Sequence, residues 1–259
     1  MCRKIAIALV TILMLLMAPM TVFAAAPSVQ EVETLITQIG TVTRENRSAV
    51  EKAVNAYNQL DDEMKAQVSN FEVLAEAQQI LGVKDAIAKL NRMHDKVENT
   101  IVMISPYTEK NEAEGLPITA PVLMFVEPYE RPFLVMVVEY AGKEHLWMNV
   151  IKIRAGENKY EYYYNDFSIT DSGETKVKNK TVSLERGIRL VTDNDYNMFT
   201  DVLSSKEAIV RFAKANYESI EKLCDYTVTN EDRQAITDVL NAYNLMCSVS
   251  PEVLHKALE

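Results

Sequence analysis

The apolar residues of this chain change their spacing near Val97, and that change limits what the chain can become. Before it, they recur every three or four residues, as one face of a helix requires. After it, they fall in short alternating or continuous runs divided by Gly, Pro, Asn and Asp, as strands require. A chain with a helical first part and a strand-rich remainder is neither all-α nor all-β. The expected fold is α+β: a small N-terminal helical bundle, then an antiparallel β-sheet with helices packed on one face. The expected division is a helical module over 25–97 and an α+β domain over 98–259.

Within the module, Val32, Leu35, Ile36 and Ile39 mark a first helix ending at Gly40. Thr43 stands where a cap for the next helix is wanted, and Val50, Ala53, Val54, Tyr57 and Leu60 share one face. Asp61 then precedes a short third helix through Met64 and Val68. Asn70 is expected to cap a fourth, whose stripe is Leu74, Ala77, Leu81 and Ile87, with Gly82 as a weak point. Helices this short are unstable alone in water, so they must pack together.

The run Val50, Ala53, Ala56, Tyr57, Leu60, Glu63, Lys65, Val68, Asn70, Leu74 and Ala77 resembles a helical repeat of Gram-positive bacterial surface and secreted proteins. The resemblance covers about residues 32–80 in one copy. Its positions are packing and capping residues, so it implies a spacer rather than a catalyst. A later stretch through 208–212, Tyr217, 225–228 and Asp232 to Tyr243 is similar to the end of an exported bacterial domain of unassigned activity.

Strands are expected over 100–105, 122–126, 133–140, 146–154, 159–164 and 175–184, with 106–121 as a long loop. Short turns between successive strands favour an antiparallel meander. The apolar run 133–138 does not alternate, which places it centrally with both faces covered. A helix over 194–204, strands over 208–212 and 223–229, a long helix capped by Asn230 and a short tail helix near Val253 complete the pattern.

The N-terminus reads as an address. Arg3 and Lys4 precede an apolar run from Ile5 to Met17, and Val22-Phe23-Ala24 supplies a small-x-small exit. That is the pattern of a secretory signal peptide over 1–24, cleaved after Ala24 or, as second choice, after Ala26. The run is short for a membrane span, so membrane attachment is expected only through an uncleaved signal segment. Two of the 27 basic residues and none of the 37 acidic ones lie in 1–24, leaving 25 basic against 37 acidic and a formal charge of −12. Such a balance argues against nucleic acid as a partner and against electrostatic docking on anionic lipid. The expected location is secreted or cell-wall associated, with an envelope protein or wall glycan as partner.

Reactive constellations are scarce. His94, His145 and His255 have no metal-ligand spacing, and no nucleophile elbow, P-loop or dinucleotide fingerprint occurs. No metal or other cofactor is expected. Asp193, Asp195 and Asn197 copy half a calcium loop, which fails at Met198 and Ser204; a helix cap at Asp193 or Asn194 accounts for them more simply. Glu127, Glu139 and Glu161 lie in or beside strands without forming a recognisable carboxylate pair. Tyr160, Tyr162 and Tyr164 alternate and so share a sheet face, with Trp147 expected on the preceding strand. An open aromatic face suits sugar rings or partner side chains, with Arg131, Lys152 and Arg154 as polar contacts; a covered one is core. Cys224 and Cys247 are either a disulfide, if the last long helix folds back along its strand, or two free thiols. The reading is a secreted, non-catalytic binding module. Its alternatives are an exported hydrolase of envelope glycans or peptides, and an extracytoplasmic assembly or inhibitory factor.

Overall fold

The structure, a computed structural model, describes residues 26–126, 131–178, 180–216 and 219–259. The signal segment, its exit at Ala24 and Glu127 lie outside the described residues. Among the described residues, four helices come first: α1 (Val29–Thr37), α2 (Arg47–Asn58), α3 (Asp62–Lys65) and α4 (Phe71–Ile87). Ser28 and Glu31 form a capping box at α1, and Asp61 caps α3 as expected. Thr43 does not cap α2. It exchanges hydrogen bonds with Asn46 in the preceding loop, and the helix starts at Arg47. Asn70 precedes α4, but its amide donates to Glu33 O on α1 at 3.0 Å, tying two helices together. Gly82 leaves α4 unbroken. This helix buries Ile80, Val83 and Ala86 beyond the expected stripe because it has partners on two sides. It packs on α1 and α2, and also on the last two helices, α7 (Asn230–Ser248) and α8 (Pro251–Leu258).

The ten strands form two antiparallel sheets. Sheet A has the order β1 (Asn91–Asp95), β2 (Thr100–Ile104), β3 (Ile118–Val126), β4 (Phe133–Gly142), β8 (Lys180–Leu190), β7 (Ile169–Val177). Sheet B has the order β10 (Ile220–Thr227), β9 (Ala208–Ala215), β5 (Val150–Ala155), β6 (Asn158–Tyr163). The fold is therefore α+β with an antiparallel sheet, but not a simple meander. The β5–β6 hairpin leaves sheet A and pairs with β9, so β4 finds β8 as its neighbour. Strand β4 is central, and Leu134 and Val135, on opposite faces, are both buried.

Several local expectations change. Residues 106–121 are not a loop. Ser105 caps α5 (Pro106–Glu114), Pro106 occupies its first turn, and Gly115 ends it in the left-handed conformation. The expected strand over 175–184 is two strands, with Val177 paired to Lys180 across a tight turn and Lys178 at φ 47°. The chain at Asp171, Ser172 and Gly173 is extended within β7 rather than turning. Residues 146–149 precede β5 rather than belonging to it. The helix α6 (Asp193–Ser204) packs on β5, and α7 lies on β3. One buried apolar cluster runs from Val32 through both sheets to Leu258, so the N-terminal helices share a core with the rest of the described chain.

Candidate functional site

Alternation along β6 sends Tyr160 and Tyr162 to one face and Tyr163 to the other, but the open face is the opposite of a tyrosine platform. Tyr160 and Tyr162 pair with the buried Ile153 and Ile151, beneath α6. The Tyr160 hydroxyl donates to Asp201 on α6; burial, then this carboxylate, pushes its pKa up to about 12. Tyr162 is 3% exposed and meets Phe167 edge-on at 6.4 Å, with the Arg189 guanidinium 5.5 Å from its ring centre. Burial, then the carboxylate of Asp195, raises its phenol. Tyr164 has left the strand for a short 3₁₀ turn over 164–166, where its hydroxyl lies 2.8 Å from Arg186 O. The row is internal packing: α6 supplies the apolar cover, and hydrogen bonds at the rim occupy the hydroxyls of Tyr160 and Tyr164. Lys152 and Arg154 lie on the other face of sheet B, paired with Glu161 and Glu207, each at 3.0 Å.

Trp147 stands apart from the tyrosines. It is 60% exposed and has φ 57°, the left-handed region that a large side chain rarely occupies. Glu185 on β8, itself 3% exposed, holds it there. Trp147 N donates to Oε1 and Met148 N to Oε2, each at 2.6 Å. Two charge-assisted bonds of this length are among the stronger hydrogen bonds a protein makes. Leu146 and Met148 on either side are buried, so the backbone is pinned while the indole is held out. The His145 ring stacks on the indole, centroids 4.9 Å apart and planes at 28°, and its Nδ1 lies 3.7 Å from Glu185 Oε1. The result is a two-ring shelf whose indole faces solvent while the imidazole beneath it is largely covered. No sequence pattern marks Glu185 as its support, because contact across 38 positions has no local signature.

The other candidates resolve into structural roles. Asp195 forms a capping box with Thr192 at α6, so the cap is Thr192 rather than Asp193 or Asn194. Glu139 is 1% exposed and accepts from Arg186 Nε at 2.6 Å; Arg186 also donates to Glu112 on α5. Burial pushes the Glu139 carboxyl up, partly offset by Arg186. Glu161 is drawn to Lys152 on the sheet surface. Cys224 and Cys247 are free thiols. Instead of returning along β10, α7 leaves it to pack on β3, α4, α5 and α6, which removes the premise for a bridge. Among the described residues, no group of three or more His, Cys, Asp or Glu side chains is arranged to hold a metal ion. The chain matches no family model, no curated protein and no solved structure.

Proposed function

We propose that the protein is an exported, non-catalytic binding module of the cell surface or extracellular space, with the Trp147 shelf as its contact. One observation carries this reading: a buried carboxylate is committed to keeping the only tryptophan of the chain exposed on a left-handed backbone. A tryptophan used for packing would gain by burial. Unfavourable backbone geometry maintained by its surroundings is typical of ligand-contacting positions. A flat indole braced by an imidazole offers the surface that a sugar ring or an apolar partner side chain needs. A wall glycan or an envelope protein fits both the leader-like N-terminus and this shelf. The helices α1–α4 share the core of the sheets, so in this reading they brace the shelf-bearing body rather than act as the spacer that the repeat resemblance implies.

The single tryptophan makes the test direct, because its fluorescence reports only this site. Purified wall glycan and envelope proteins are added in turn, and emission from Trp147 is followed. Binding is expected to shift the emission; calorimetry, which needs no tryptophan, then compares the parent with Trp147→Ala, expected to bind at least about tenfold more weakly, the scale for a central aromatic contact. Binding that proceeds unchanged in the Ala variant would refute the assignment.

A further inference from the structure

The face of sheet B turned away from α6 carries an arrangement that folding alone disfavours. Its register places Glu161, Lys152, Arg211 and Asp225 in one row across β6, β5, β9 and β10. The next row holds Lys159, Arg154, Ile209 and Thr227. Two pairs of cations are thus directly opposite each other, Lys152 with Arg211 and Arg154 with Lys159. Like charges in that position destabilise a sheet, and the rows are only roughly 7 Å apart. The surrounding chain has a formal charge of −10, so carboxylates were available to the sequence for these places.

All four cations line one depression of about 620 Å³, within the range of small-ligand sites. Carboxylates pair with three of them: Glu161 and Asp225 line the depression as well, and Glu207 stands beside it. Lys152 meets Glu161 at 3.0 Å, Arg154 meets Glu207 at 3.0 Å, and Arg211 meets Asp225 through Nε and Nη2, both at 2.6 Å. Lys159 makes no ion pair with the described residues. Each paired cation keeps donors in reserve: an ammonium has three and a guanidinium five. The carboxylates therefore fix the cations in place without exhausting them.

We propose that this face is a binding site for a phosphate-bearing ligand, seated among Lys152, Arg154, Lys159 and Arg211. A phosphate carries the charge and the acceptor oxygens to meet several cations at once, and guanidinium forks match its geometry. A single carboxylate brings less charge and fewer acceptor oxygens to the donors that the ion pairs leave over. The site is distinct from the Trp147 shelf and stands whether or not that shelf binds anything.

The test is calorimetric titration of the purified protein at low salt with inorganic phosphate, a poly(glycerol phosphate) chain, acetate and a neutral glucan. Phosphate and the polymer are expected to bind, with affinity falling as salt rises. Replacing Arg154 and Lys159 by Gln together is expected to weaken binding by about tenfold or more, while Trp147→Ala, outside this site, leaves it unchanged. Stronger binding of the polymer than of free phosphate identifies a polymeric source; equal binding identifies a small ester. These side chains are solvent-facing, and circular dichroism verifies that the variants fold. Three results overturn the proposal: no phosphate binding at low salt, acetate binding as tightly as phosphate, or phosphate binding indifferent to the double replacement.

Discussion

Position 147 should reverse the usual order of alanine and glycine. Elsewhere, glycine is the less stable of the two by roughly 0.5–1 kcal/mol, because it frees the unfolded chain. At φ 57° the balance changes. A residue with a Cβ pays roughly 1–2 kcal/mol to stay left-handed, and glycine does not. Trp147→Gly should therefore be more stable than Trp147→Ala by roughly 0.5–1 kcal/mol. Both replacements remove the same indole and its stack on His145, so those losses cancel in the comparison. Neither variant retains tryptophan, so urea unfolding is followed by far-ultraviolet circular dichroism. Alanine equal to or above glycine would show that Glu185 does not hold this backbone left-handed in the native protein. The exposed indole would then lose its claim to be a built contact.

Glu185→Gln keeps the shape but turns one acceptor into a donor facing a backbone N–H. Leaving that buried group unpaired should cost roughly 1–3 kcal/mol, read as a lower urea midpoint with an unchanged slope. Burial raises the Glu139 carboxyl above its usual 4.5 in the folded state, so the folded protein holds that proton more tightly than the unfolded one. Stability from this group is therefore greatest in acid and falls as pH rises from 4.5 through the folded value. Glu139→Gln should remove that slope, and an unchanged pH profile of unfolding would count against it. Leu74 is buried on α4 within the shared core, and Leu74→Ala should cost roughly 2–5 kcal/mol. Calorimetry should show one transition moving as a whole; a separate early transition would mean that the helices melt independently.

The helical start was legible because its information is local. Asp61 before Met64 and the apolar spacing from Val50 to Leu60 act within a few residues. The stripe through Ala235, Ile236 and Val239 marks α7 in the same way, but its cap is Thr229, boxed with Asp232, rather than the expected Asn230, which is the first helical residue. The α5 helix was misread although its signals were local too: Ser105, Pro106 and Gly115 are cap, first turn and stop. Its weak apolar periodicity hid them, since its buried positions are Thr108 and Asn111. The β7–β8 turn was misplaced because Gly173 attracts a turn assignment, whereas the observed turn uses Lys178 at positive φ.

By itself, the sequence determined most of the succession of elements, though not β1, α5 or the β7–β8 turn, together with the antiparallel class and the lack of familiar catalytic motifs. Those follow from periodicity, capping and residue type, which act along the chain. Only the tertiary structure decided which side of β6 is open, because that depends on α6 arriving from 30 residues further along to bury Tyr162. It also decided that Glu185 reaches back to Trp147, and that Lys152 faces Arg211. Strand partners are chosen by long-range burial and register, so no neighbouring residue announces them.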